Sequence, residues 1–111
     1  MEITQTDQEG VVIIEVKGRL DTLSSSELEN HIEKLINENK PKIVLDFSEL
    51  DFISSSGLRV LLAAAKQLKT ISGKMVLCAL RDHVKEVFDV AGFTLLFSLF
   101  PSREAAIKIL E

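Results

Sequence analysis

Four times in this chain a short apolar run is followed, across a polar turn, by apolar residues spaced for one face of a helix. Val11–Val16 leads to Leu28, Ile32, Leu35 and Ile36, and Ile43-Val44-Leu45 with Phe47 leads to Leu58, Leu61, Leu62, Ala65 and Leu68. Met75–Ala79 leads to Val84, Val87, Phe88 and Ala91, and Leu95–Phe100 leads to Ile107 and Leu110. Runs this apolar suit strands buried on both faces, which happens when helices cover a largely parallel sheet. Strands alternating with helices predict an α/β domain whose parallel strands are joined by right-handed crossovers.

Turn and cap residues set the expected boundaries. Asp7-Gln8-Glu9-Gly10 predicts a hairpin that pairs a short strand at Ile3–Thr6 with the Val11 run. Ser24 followed by Glu27 reads as a capping box and opens a helix over about 25–39, which Lys40-Pro41 ends. The Ile43 run is the expected central strand. A second helix over about 56–71 is capped by Ser55 or Ser56, with Gly73 as a left-handed stop. A third helix closes at Gly92, Leu95–Phe100 is a last strand, and Ser102 caps a final helix after Pro101. The predicted order is β-β-α-β-α-β-α-β-α. With 111 residues and neither linker nor repeat, residues 1–111 form one domain.

Composition narrows the functional classes. Thirteen basic and 17 acidic residues give a formal charge of -4, with no basic cluster, which argues against nucleic acid as a partner. The lone Cys78, inside an apolar run, is a buried thiol and not half of an internal disulfide or a metal pair. The polar start and the absence of a bilayer-length apolar stretch argue against a membrane association and point to the cytoplasm.

The stretch LDFSELDFISSSGLRVLL, Leu45 to Leu62, concentrates the functional signal. It runs from the carboxyl end of the central strand, where open α/β sheets place functional loops, into a helix. Capping accounts for one of Ser54, Ser55 and Ser56, but not for three. No serine has glycine both two residues before and two after it, as a nucleophile elbow requires, and His31 and His83 lie in helical segments with no signature linking them to the loop. The glycine-lysine signature of a phosphate-binding loop is absent. A receiver domain phosphorylated on Asp46 would need an acidic pair after Val11–Val16, and none is evident. A phosphorylation switch fits better: a phosphate adds about -1.5 to -2 charges at neutral pH and would toggle any partner docked there.

The stretch VLDFSELDFISSSGLRVLL resembles the signature of STAS-domain anti-sigma factor antagonists, and GRLDTLSSSEL, GKMVLCALRDHVKEVFDVAGF and LFSLFPSREAAIKIL extend the similarity over essentially the whole chain. The resemblance implies a STAS fold with a mixed sheet. It also implies a non-enzymatic, cofactor-free regulator that binds an anti-sigma factor with serine kinase activity, is released by serine phosphorylation and is restored by a PP2C-type phosphatase. Carried over, the phosphoacceptor is Ser55, with Ser54 and Ser56 as alternatives, and Asp21 and Asp46 flank the partner surface. Residue 54 departs from the family pattern, which often has Asp there. Phe52, Ser54, Ser56, Gly57, Leu58 and Arg59 complete the expected docking face. Asp21 and Asp46 have local roles open to them as well, as a turn cap and as an acceptor for loop amides. The alternative function is a STAS module that binds a small ligand or scaffolds a complex without a kinase cycle.

Overall fold

In the computed structural model, which describes residues 1–111, the chain opens with the expected hairpin. Strand β1 (Glu2–Gln8) runs antiparallel to β2 (Val11–Leu20), with Gln8 opposite Val11. The two linking residues, Glu9 and Gly10, both have positive φ, which matches the right-handed twist of the flanking strands. β2 then pairs in parallel with β3 (Lys42–Asp46), β3 with β5 (Lys74–Cys78), and β5 with the two-residue β6 (Leu99–Phe100). The sheet order is β1-β2-β3-β5-β6, so the Ile43 run is central.

Four helices cover this sheet: α1 (Thr22–Asn37), α2 (Ser55–Lys69), α3 (Asp82–Val90) and α4 (Arg103–Leu110). Because strand side chains alternate between faces, each central strand feeds two cores. Val12, Ile14, Val16, Ile43, Leu45 and Leu77 pack with Leu28, Leu61, Leu68, Val84 and Phe88 of α1, α2 and α3. Val11, Ile13, Val44, Val76 and Cys78 face the other way, against Ala106, Ile107 and Leu110 of α4. One face is thus covered by three helices and the other by one. None of the helices is long and apolar enough to cross a membrane.

The structure adds one strand to the expected order: β4 (Leu50–Ile53), which pairs in parallel with the end of β2. β2 is long enough to take two partners along the same edge, β3 over Val12–Glu15 and β4 over Gly18–Leu20. Gly18, at φ 91°, opens the β4 pairing opposite Leu50 and donates its N–H to Glu49 O at 3.0 Å; the register then shifts between Gly18 and Arg19, which skips Asp51 of β4. This is the bulge geometry that glycine permits.

Other boundaries move for local reasons. α1 is capped by Asp21, three residues before the expected cap; Ser24 is the N3 partner whose hydroxyl receives the Asp21 N–H. Gly73 is not left-handed: Ser72 takes φ 56°, and Gly73 is needed because a Cβ there would lie 2.8 Å from Pro41 O. Gly92 has φ 78°, as its position predicts. The strand expected over Leu95–Phe100 shrinks to Leu99–Phe100, behind a 3-10 turn at Phe93–Leu95. Phe93 and Phe97 meet the Phe88 ring edge-on at 6.3 and 6.4 Å, and bringing both onto one ring curls the backbone between them.

Candidate functional site

The site grows from the paired ends of β2 and β4. Leu20 and Ile53 are opposite one another, both buried, and Leu20 O accepts the Ser54 N–H at 2.9 Å. Each strand then turns at once into a helix, so the mouths of α1 and α2 stand side by side. Asp21 caps one, accepting the N–H groups of Leu23 and Ser24 at 3.2 and 3.1 Å. Ser54 caps the other, its hydroxyl accepting the Gly57 N–H at 3.2 Å. The two helices are joined across the gap by the hydroxyls of Thr22 and Ser56, 3.3 Å apart.

This geometry separates the three serines. Ser54 is consumed as the cap, where Ser55 or Ser56 was expected, and Ser56 leans on Thr22. Ser55, the first residue of α2, is exposed, and its hydroxyl has no hydrogen-bond partner. The N–H groups of a helix's first turn have no partner in their own helix, and the helix dipole makes the same spot favourable for negative charge.

Gly57 and Leu58 serve from behind. A Cβ on Gly57 would lie 2.9 Å from Ile53 Cγ1 and 3.1 Å from Leu20 O, so the surface that approaches this glycine is the protein's own. Leu58 is buried in the larger core. Both were expected on the docking face; in this structure they seat α2 against the strand ends. Arg59, one turn beyond Ser55, is exposed.

Phe52 of β4 is 37% exposed, with the Arg19 guanidinium 4.2 Å from its ring centroid. Arg19 also faces Asp21 Oδ2 at 3.9 Å. Hydrogen bonds from the Ser24 N–H and hydroxyl, then from the Leu23 N–H, hold the Asp21 carboxyl below its usual range, with Arg19 adding a smaller push. Asp21 is therefore a local cap and also a carboxylate at the site's rim.

Asp46 lies elsewhere. It is 5% exposed and alternates toward the α4 face, where its carboxylate accepts Arg103 Nε at 2.9 Å and the Ser48 N–H at 2.9 Å. Glu15, Asp46 and Cys78 form a row across β2, β3 and β5, and Arg103 also bonds Glu15 at 2.9 Å. Asp46, expected to flank a partner surface, is buried in this structure, where it fastens α4 through Arg103. In the same row, burial and the Asp46 charge push the Cys78 thiol up to about 12. His31 meets Gln5 at 2.7 Å, and His83 meets Asp51 O at 2.7 Å; neither ring bonds a serine.

Two residues of this corner escaped the sequence reading. Thr22 had no motif to mark it. Leu23 sits at a spacing that gives no sign of its 90% exposure.

Fold and site together define a small α/β domain that presents a serine turn at the joined mouths of two helices. A family model described as STAS domain matches residues 2–106. BtrV of Bordetella bronchiseptica, whose name assigns it provisionally to the anti-sigma factor antagonists, is 40% identical over 96% of this chain and 91% of its own. The anti-sigma F factor antagonist of Paenibacillus polymyxa is 27% identical over 100% of this chain and 96% of its own. In fold, an anti-sigma factor antagonist from Mycobacterium paratuberculosis superposes with a TM-score of 0.89 at 24% identity, covering 98% of this chain and 92% of its own. The phosphorylated form of Bacillus SpoIIAA superposes at 0.78 with 21% identity, covering 99% and 100%. The chain belongs to the STAS domain family, within its anti-sigma factor antagonists.

Proposed function

We propose that this protein binds an anti-sigma factor through the Ser55 turn while that serine is unmodified, and lets go when Ser55 is phosphorylated. Binding the anti-sigma factor frees the sigma factor it holds. The protein acts by contact and not by catalysis. The partner carries the serine kinase activity, and a PP2C-type phosphatase resets the switch. The observation that carries the reading is the division of labour among the serines: Ser54 caps, Ser56 pairs with Thr22, and Ser55 alone offers an exposed, unengaged hydroxyl.

The physical basis of the toggle is the mismatch between what the helix tolerates and what a fitted contact tolerates. A phosphate on Ser55 would sit against free N–H groups and the positive end of the α2 dipole, so the fold accommodates it. A partner packed on the turn meets new bulk and about -1.5 to -2 charges, in a corner already lined by the Asp21 carboxylate. Ser55, Ser56, Phe52, Arg59 and Asp21 form the contact face, with Ser54, Gly57 and Leu58 holding it in shape.

The test is mass spectrometry of the protein from its own cells with localisation across residues 54–56, followed by pull-down with each phosphoform and with the Ser55→Asp and Ser55→Ala variants. Phosphate on Ser55, capture of an anti-sigma factor by the unmodified and Ser55→Ala forms, and its loss by Ser55→Asp are expected. Equal capture by all forms, with no phosphate under any condition, would overturn the switch and favour a scaffolding role.

A further inference from the structure

The first turn of α1 carries a side chain that folding does not account for. Leu23 is 90% exposed, so it adds almost nothing to the core and keeps its apolar surface in water. Its backbone is held in place: its N–H is bonded to Asp21 Oδ1, and the neighbouring Thr22 hydroxyl is 3.3 Å from that of Ser56. A series of contacts leads from the Phe52 ring to Arg19, from Arg19 to the Asp21 carboxylate, and from that carboxylate to the backbone N–H of Leu23. Val90, Leu95 and Leu96 are exposed too, but no hydrogen bond links them to the serine turn.

We infer that Leu23, two residues beyond Asp21 at the mouth of α1, is the apolar anchor of this docking face and fills a hydrophobic pocket on the anti-sigma factor. This rests on the reading of the Ser55 turn as the partner-binding site and adds a residue that determines affinity. A few apolar or aromatic side chains seated in desolvated pockets carry most of the energy of such interfaces, surrounded by polar contacts that exclude water. Leu23, beside the polar rim of Asp21, Arg19 and Thr22, has that arrangement. Its position also separates two roles. Ser55 decides whether the partner stays, whereas Leu23 helps decide how tightly it is held.

The experiment measures affinity and dissociation rate between the full-length unphosphorylated protein and the purified anti-sigma factor encoded in the same genome, for wild type, Leu23→Ala, Leu23→Met and Ser55→Asp. Circular dichroism and thermal melting confirm that each variant is folded. Leu23→Ala is expected to weaken binding by at least about fivefold, chiefly through faster dissociation, while Leu23→Met, which keeps the apolar bulk, stays within about twofold. A loss under fivefold for Leu23→Ala, with Ser55→Asp still impaired, overturns the anchor and leaves the serine switch standing. No binding by wild type overturns both.

Discussion

At the scale of single residues, the serine turn shows three chemically identical side chains given different tasks by a shift of one position each. At the N-cap, a serine oxygen faces back to the helix amides; one residue later, it faces out. Replacing each in turn should therefore give different phenotypes. Ser54→Ala removes the cap and is expected to cost about 1 kcal/mol of stability, read as a lower urea midpoint with an unchanged slope, while phosphate still localises to Ser55. Ser55→Ala should leave the midpoint where it is and abolish phosphorylation. If Ser54→Ala kept full stability and lost the phosphate, the assignment of cap and acceptor would be reversed. The sequence could not divide these roles, because any of three adjacent hydroxyl residues satisfies a cap preference. Only the Leu20 carbonyl, which takes the Ser54 N–H, sets the frame.

At the scale of elements, α4 has an unusual responsibility, since it alone covers its side of the sheet. Arg103 anchors its first turn to Asp46 and Glu15. Arg103→Met removes the cation and leaves the buried Asp46 with only the Ser48 amide. Breaking a fully buried pair costs about 3–5 kcal/mol. With Arg103 about a third exposed, a loss of roughly 2 kcal/mol is expected. Hydrogen exchange should place the loss in α4 before the rest of the chain; uniform loosening would argue against this division. The alternating runs and stripes made the central strands and the helices legible in the sequence. They did not reveal β4, which is four residues long and takes its identity from pairing with Gly18–Leu20 at the end of β2. Nor did they reveal the fate of Asp46: an acid at a strand end reads as exposed until its partner, 57 positions away, is known. The Leu95–Phe100 run reads as a strand because all but Ser98 of its residues are apolar, yet packing around the Phe88 ring outweighs that propensity.

At the scale of the whole molecule, stability and recognition are expected to respond to Ser55 in opposite directions. A carboxylate at the first position of α2 meets unpaired amides and a favourable dipole, so Ser55→Asp should raise stability by about 0.3–1 kcal/mol, visible as a melting temperature a few degrees higher. The same substitution should abolish capture of the partner. A variant that lost both would indicate that the switch works by unfolding the turn, contrary to the reading here. The uneven cladding of the sheet has a further consequence. Cys78 lies beneath α4 with its thiol held almost fully protonated near neutral pH. A thiol reagent can reach it only when that helix swings away, so the rate at which the protein takes up such a reagent is a built-in clock for the door on its thinner side. Timing it beside the intact and phosphorylated turn would tell whether news of the modification on one face is ever felt on the other.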